Sequence, residues 1–450
     1  MNLVETIEHI SAKVWSFPFL ILFLGLCILA TFFLRFVQIR YFMDSLRSLF
    51  SAGSSTKDSG SGELTSLQAF INMLGGNIGN GSLSGIPVAI STGGPGALFW
   101  LLVMSTFAVA LRYAEVYLGM IFIGKERFGR AKGGPMLYLS MLPAGHYLSY
   151  AFAFFCLAYA FICGNIVQCN SVAAAVQKTW NIDVYYTSIV VVAFIAYVLL
   201  GGSDRIVKSL DKLVPIKVTL FFFSALYVLV YHYQAIAGAF YLVCSSALKT
   251  EAVFGGGLAF TLQKMMATGF QRGIFIHEAG LGTAAVPFGE TGGKEPVKDG
   301  LMSMLGVYIN THIVCLMVGL CVIASGVWNN GETGSALIIS SYQTAFGQSG
   351  AWIITFLVVN FGVSVLVSYA YIGRVCWTFL TNGKWAAGFV ALYTLSAFAG
   401  TVMNVKLAWS SSDLVTAALF VINISGLIWF MNKIKKGLSD YEVSSSVMKK

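Results

Sequence analysis

Long apolar runs alternate with short polar connections along the chain. The first run, Val14 to Leu34, reads VWSFPFLILFLGLCILATFFL. Ten more are drawn at about 64–92, 96–122, 148–178, 186–202, 213–234, 256–285, 300–326, 344–380, 385–402 and 412–432. About 20 consecutive apolar residues cross a bilayer as one helix. The pattern therefore predicts an all-α polytopic membrane protein with eleven spans. Several runs exceed one simple crossing, which predicts tilt, breaks or interfacial helices. A cleaved leader carries basic residues before a shorter apolar stretch. Here Glu5 and Glu8 precede the first run with Lys13, and Arg35, Arg40 and Arg47 follow it, so a spanning helix with its N-terminus outside is expected. The Gly/Ser-rich stretch 51–63 reads as a flexible cytoplasmic linker, Lys125 to Gly134 as a cytoplasmic surface loop, and Asn329 to Gly334 as an external turn. The polar tail is expected to be unstructured past residue 437.

Composition narrows the class. Of 450 residues, 57% are hydrophobic and 10% charged, against about 25% charged in soluble domains. So few charges leave lipid to cover much of the surface. A disordered chain, collagen, a coiled coil and a disulfide scaffold are excluded. The net charge of +9 does not form a nucleic-acid stripe, because the basic residues sit in short loops. Of 28 Lys and Arg, 21 fall in the loops expected to face the cytoplasm, Lys217 among them. Only Lys13, Lys178, Lys249 and Lys406 fall opposite, and Arg112, Lys264 and Arg272 lie within spans. That bias supports the alternation of eleven spans. The eight cysteines form no CxxC pair and read as small membrane hydrophobes.

Two spans carry polar interruptions. In the first, LTSLQAFINMLGGNIGNGSLSGIPVAISTGGPGALFW, Gly75, Gly76, Gly79, Gly81 and Gly85 crowd together with Asn77, Asn80, Ser82 and Ser84. Glycine costs about 1 kcal/mol per helical position relative to Ala, so this cluster predicts local unwinding. Close helix packing also uses glycine but has no need of the asparagines. Unwound backbone at membrane depth survives only around a protein-lined cavity. Its N–H groups suit a carboxylate, and its carbonyls suit an ammonium or a metal cation. The second, FGGGLAFTLQKMMATGFQRGIFIHEAGLGTAAVPFGE, carries Gln263, Lys264, Gln271, Arg272, His277 and Glu278. Arg272 and Glu278 are expected in structural ion pairs, with each other or with Arg112 or Glu115 of the third span. His277 reads as a structural histidine or a proton-linked group. Without the first span, ten remain and divide five and five, with an interrupted segment opening each half. Such paired interruptions mark an inverted-repeat transporter with its site at the midplane.

The strings GNIGNGSLSGIPVAISTGGPGALFW, GNIVQCNSVA (Gly164 to Ala173), GGSDRIVKSLDKLVP (Gly201 to Pro215), FQRGIFIHEAGLGTA (Phe270 to Ala284) and SMLGVYINT (Ser303 to Thr311) resemble those of the alanine or glycine:cation symporters, in order, from about residue 60 to 430. The resemblance implies the five-plus-five inverted fold of the leucine transporter (LeuT) with one added N-terminal helix. It implies a first segment of residues 1–62, repeats at 63–235 and 236–435, and a cytoplasmic tail at 436–450. It also implies symport of a small neutral amino acid, L- or D-alanine or glycine, with sodium, by a monomer in a bacterial-type inner membrane. The substrate would lie against Asn77, Gly79, Asn80, Gly81, Ser82, Gln168, Asn170, Phe270, His277 and Tyr369. The ion would lie near Gly75, Ile78, Ser364 and Ser368. Sodium is the sole metal implied, with no transition metal and no cofactor. Departures stand beside the likeness. Asn-Ile-Gly-Asn-Gly-Ser replaces the family's Thr-Val-Gly-Thr-Gly-Asn, and His277 replaces an Asn. Ser368-Tyr369 stands where the family has a Gly-Trp pair. Ser364-Val365 replaces adjacent hydroxyls, removing one hard oxygen ligand, which keeps a proton open as the coupling ion.

No GxxxxGK[ST], HExxH or nucleophile elbow occurs, and the five histidines are scattered. ATP-driven pumping and membrane enzymology are disfavoured. A channel, built from rings of subunits, would equilibrate its solute where a symporter concentrates it.

Overall fold

The computed structural model describes residues 3–54, 64–124, 133–248, 253–255 and 258–448. Of the linker expected at 51–63, residues 51–54 end the helix Phe42–Ser54 and 55–63 lie outside the described residues, as do 125–132 of the basic loop expected at 125–134. Among those described, the chain is helical apart from one short antiparallel hairpin, Val253–Gly255 with Leu258–Phe260. Six helices are long and apolar enough to cross a membrane: Gly96–Ile121, Gly145–Trp180, Gly202–Tyr231, Pro296–Ala324, Gln348–Leu380 and Val405–Trp429. The pair Val4–Val14 and Phe17–Phe33, bent by 48°, makes a seventh if it is counted as one. Val184–Leu200, Tyr233–Leu248 and Ala386–Val402 are shorter apolar helices.

Local chemistry starts these helices where they start. Thr65 and Gln68 form a reciprocal capping box on Ser66–Asn77, at 3.2 and 3.0 Å. Asp183, Thr261 and Asn404 cap Val184–Leu200, Leu262–His277 and Val405–Trp429 through their side chains. Outward-facing Phe223, Tyr227 and Val230 leave the Gly202–Tyr231 helix a lipid-compatible face.

Two broken segments sit at the centre. The first runs Ser66–Asn77, Asn80–Leu83 and Gly85–Gly93. The second is Leu262–His277, then an irregular turn and the short helix Ala285–Phe288. Gly96–Ile121 packs along the second, while Gln348–Leu380 and Gly202–Tyr231 pack along the first.

Four sequence expectations change. The stretch after residue 234 is a helix, Tyr233–Leu248, packed on Gly96–Ile121. The run drawn at 344–380 is two helices, Gly334–Phe346 and Gln348–Leu380, divided at Gly347, whose φ of 58° suits glycine. The tail past residue 437 is helical through Met431–Met448. Ile434 and Leu438 of that helix are buried, and Glu442 meets Arg40 and Tyr41. Lys217, counted as a loop charge, is inside the protein: it lies on Gly202–Tyr231 with 0% exposure.

Candidate functional site

At the first break, Ile78 (φ −81°, ψ 84°) and Gly79 (φ −130°, ψ −165°) leave helical geometry. Backbone groups there must find partners outside a helix. The Asn77 carbonyl accepts from Asn310 Nδ2 at 2.8 Å, and the Asn80 N–H donates to Gln168 Oε1 at 3.1 Å. The Gly75 carbonyl accepts from Lys217 Nζ at 3.2 Å, and the Ile78 carbonyl accepts from the same ammonium. Glycine serves close approach here. A Cβ on Gly75 would lie 2.9 Å from Leu210 Cδ2, and one on Gly81 would lie 2.8 Å from the Phe275 ring.

The second break turns on Glu278, a non-glycine residue at φ 55°, followed by Gly280 at 88° and Gly282 at 82°. Left-handed backbone at a glutamate is uncommon and is sustained by its surroundings. Those surroundings are a charged network. Arg112 pairs with Glu115 at 2.6 Å, both with 0% side-chain exposure, and donates to the His277 carbonyl. Glu115 Oε2 accepts from the Gly280 and Gly282 N–H groups at 2.8 and 2.9 Å. Glu278 accepts from Tyr159 at 3.2 Å and from Thr283 at 2.7 Å. With its amide turned to satisfy both neighbours, Asn77 donates to Glu278 and accepts from Arg112, each at 3.2 Å. This amide joins the two breaks.

Between them lies a tight cavity of about 10 Å³, room for about one water, lined by Gly76, Asn77, Gly79, Gly81, Tyr159, Cys163, Gln168, Phe275, Glu278, Val365 and Tyr369. Two π-helical stretches, Ile162–Ile166 and Tyr308–Cys315, flank it; such irregular turns often accompany functional sites. The first contributes Cys163, and Gly164 where Tyr369 packs. The second contributes Asn310, which ties the Asn77 carbonyl to that of Ile276 at 2.8 Å.

Of the residues named from the sequence, Asn77, Gly79, Gly81, Gln168 and Tyr369 line this cavity. Asn80 and Ser82 sit just behind its wall, bonded to Gln168 and Asn310. Asn170 faces away and donates to the Gly400 and Met403 carbonyls at 3.2 and 2.7 Å. Phe270 packs edge-on to Trp100 at 6.1 Å; the aromatic at the cavity is Phe275, five residues later on the same helix. His277 accepts the Ala279 N–H on Nδ1 at 3.0 Å, which assigns its ring proton to Nε2. Gly75, Ile78 and Ser364 converge on one point, the Lys217 ammonium, whereas Ser368 donates to Asn72 at 2.7 Å. Arg272 pairs with Asp413 at 3.1 Å, and Glu278 makes no ion pair with it. Trp409 lies over Arg272 at 4.6 Å and against Phe275 at 5.0 Å. Tyr159, Asn310, Asp413 and Lys217 were not singled out in the sequence. Their partners lie 119 or more residues away, apart from Asn310 and Ile276, so no local pattern signals them.

The sequence matches the sequence model of the sodium:alanine symporter family over residues 1–450. The chain belongs to that family. It is 32% identical over 436 residues to the sodium/alanine symporter AgcS of Methanococcus maripaludis, covering 95% of each chain. It is 27% identical to a putative sodium/proton-dependent alanine carrier protein, YrbD, of Bacillus subtilis, over 98% of this chain and 93% of that one. Among solved structures it resembles an Eremococcus coleocola manganese transporter, with TM-score 0.53 and 12% identity over 82% of this chain and 78% of that one. That likeness concerns the fold alone. This member is an integral membrane transporter of the amino-acid/cation symport type, and not an enzyme.

Proposed function

We propose that the chain carries a small neutral amino acid, alanine or glycine, L or D, across the membrane with a cation by alternating access. The observation that carries this reading is the cavity shared by both breaks. A zwitterion needs a donor set for its carboxylate and an acceptor set for its ammonium within a few ångströms. The start of the Asn80–Leu83 helix, where Gln168 accepts the Asn80 N–H, supplies the donor side, and the Glu278 carboxylate supplies the acceptor side, so each end of a zwitterion has a partner at the cavity. Phe275, Val365 and Tyr369 close the space left for a side chain, which favours a hydrogen or a methyl. The name of AgcS supports alanine.

The same reading takes the chain to cross an inner membrane eleven times as a monomer, with five helices in each inverted repeat and one added N-terminal helix, N-terminus outside and C-terminus cytoplasmic. The loop bias of Lys and Arg supports that orientation even after Lys217 is withdrawn from it. On that topology the Arg272–Asp413 pair, with Trp409 against it, lies on the outward side of the cavity.

Uptake of labelled alanine into proteoliposomes, competed by an amino-acid panel, tests the reading. Glycine and both alanine enantiomers are expected to compete, and leucine and glutamine to leave uptake unchanged. Equal competition by the long side chains, or equilibration without accumulation, would overturn it.

A further inference from the structure

Gly75, Ile78 and Ser364 are three of the four residues that the family resemblance assigns to sodium; the fourth, Ser368, donates to Asn72. The three come from the C-terminal end of the Ser66–Asn77 helix and from Gln348–Leu380. Here all three are taken by one side chain. Lys217 Nζ donates to the Gly75 carbonyl at 3.2 Å, to the Ile78 carbonyl and to Ser364 Oγ. An ammonium has three donors, so its capacity is filled by these oxygens. The Phe361 ring lies 5.2 Å from Nζ, adding a π face.

The other charged and titratable groups of the surrounding helices are committed elsewhere. Glu115 serves Arg112, Asp413 serves Arg272, Glu278 serves Tyr159 and Thr283, and Asp299 holds Ser66. Tyr342 faces Ser224, Cys321 donates to the Ala225 carbonyl, and Arg374 donates to Ser203. Asp211, on the same helix as Lys217, is only partly buried. Among the described residues no carboxylate forms an ion pair with Lys217. A buried cation without an anion is costly. What offsets that cost here is the negative end of the Ser66–Asn77 helix, worth about half a charge, and two carbonyls with no helical partner. The structure around Nζ is a cation site, and its occupant is covalently tethered.

We propose that Lys217 is the resident cation of this transporter: its ammonium takes the place of sodium at Gly75, Ile78 and Ser364, so that transport needs no sodium. This rests on the amino-acid symport reading above and leaves the proton, in place of sodium, as the cation carried. A sodium ion in the same position would require these oxygens to be free, since hard-cation ligands must all face the ion. The neighbouring Val365, in place of a second hydroxyl, has no oxygen to offer. Sodium independence is therefore a property of this chain's own residues.

Two measurements test it. The first is uptake of labelled alanine into proteoliposomes with an inward proton gradient and a negative interior, in sodium or in choline. Wild type is expected to accumulate alanine equally in both. A saturable rise with sodium of about tenfold, the scale of one coupled binding step, would overturn the proposal and leave amino-acid symport standing. The second is thermal unfolding of purified protein in sodium or choline chloride at equal ionic strength, which reads the cation site whether or not alanine is the substrate. Wild type should shift by less than about one degree, and Lys217→Ala, its oxygens vacated, should be stabilised by sodium by a few degrees. Sodium stabilising wild type would overturn the proposal even if no uptake were seen. Should Lys217→Ala not fold, Lys217→Met, which keeps the stem, replaces it, and the wild-type comparison remains decisive.

Discussion

At the first break a single ammonium holds two loose carbonyls to a hydroxyl on the opposite helix. At the second, an arginine, two glutamates, two glycine N–H groups, a tyrosine and a threonine interlock. The first is held otherwise by the neutral amides of Gln168 and Asn310, whereas the second can be undone only by separating buried ionic groups. The two ends of one cavity thus differ in how easily they open. In a rocking transporter, the first break is suited to change partners during the cycle, and the second to hold its shape. Asn77, bridging Glu278 and Arg112, is the point where one reports to the other.

Breaking the rigid end has the largest expected effect. Arg112→Ala leaves Glu115 buried without its partner and strips the His277 carbonyl, which costs about 3–5 kcal/mol. Thermal unfolding in detergent is expected to show a protein that barely folds; a stability within 1 kcal/mol of wild type, about one pH unit's worth of a single titration, would remove the network from its structural role. Gly81→Leu comes next. Its side chain must enter the space of the Phe275 ring, an overpacking cost of about 1–3 kcal/mol. Alanine uptake is expected to vanish while the protein still folds; normal uptake with normal affinity would displace the cavity from the transport path.

The mobile end gives smaller changes. Ser364→Ala removes one of three acceptors from Lys217, about 1–2 kcal/mol. Uptake should slow with no new sodium dependence; the appearance of sodium activation would show that the hydroxyl, and not the lysine, excludes the ion. The smallest effect belongs to the tail. Hydrogen bonding from Tyr41, with the Arg40 charge nearby, holds the Glu442 carboxyl below its ordinary range against some burial. A depressed acid stabilises the fold above its unfolded pKa and loses that contribution as pH falls through its folded pKa. The tail helix should therefore loosen only under acid conditions below the usual carboxylate range, by less than about 1 kcal/mol for so exposed a pair. Hydrogen exchange of Met431–Met448 at neutral and acid pH checks this.

The contrast between the ends also explains what was legible in the sequence. Both breaks were readable because glycine clusters and buried polar residues violate helix preference locally. Five of the ten substrate residues named from the sequence line the cavity: Asn77, Gly79 and Gly81 sit in the first cluster, whereas Gln168 and Tyr369 lie on other helices and follow from the family resemblance alone. Lys217 was misread because it follows KSLDKLVP, where lysines look like cytoplasmic loop charges; its depth depends on how far helix Gly202–Tyr231 continues inward past Pro215. Asp413 as the partner of Arg272 is 141 residues away, and no spacing announces it. The tail looked too polar to order, yet two buried aliphatic residues and one contact with Arg40 and Tyr41 suffice to make it a helix.

The central claim is that both breaks close on one amino acid. An experimental structure determined with bound alanine tests it most directly. The account places alanine between Asn77–Gly81 and Glu278, touching Gln168, Phe275 and Tyr369. Alanine bound elsewhere, or both stretches continuous and far from it, would contradict the account.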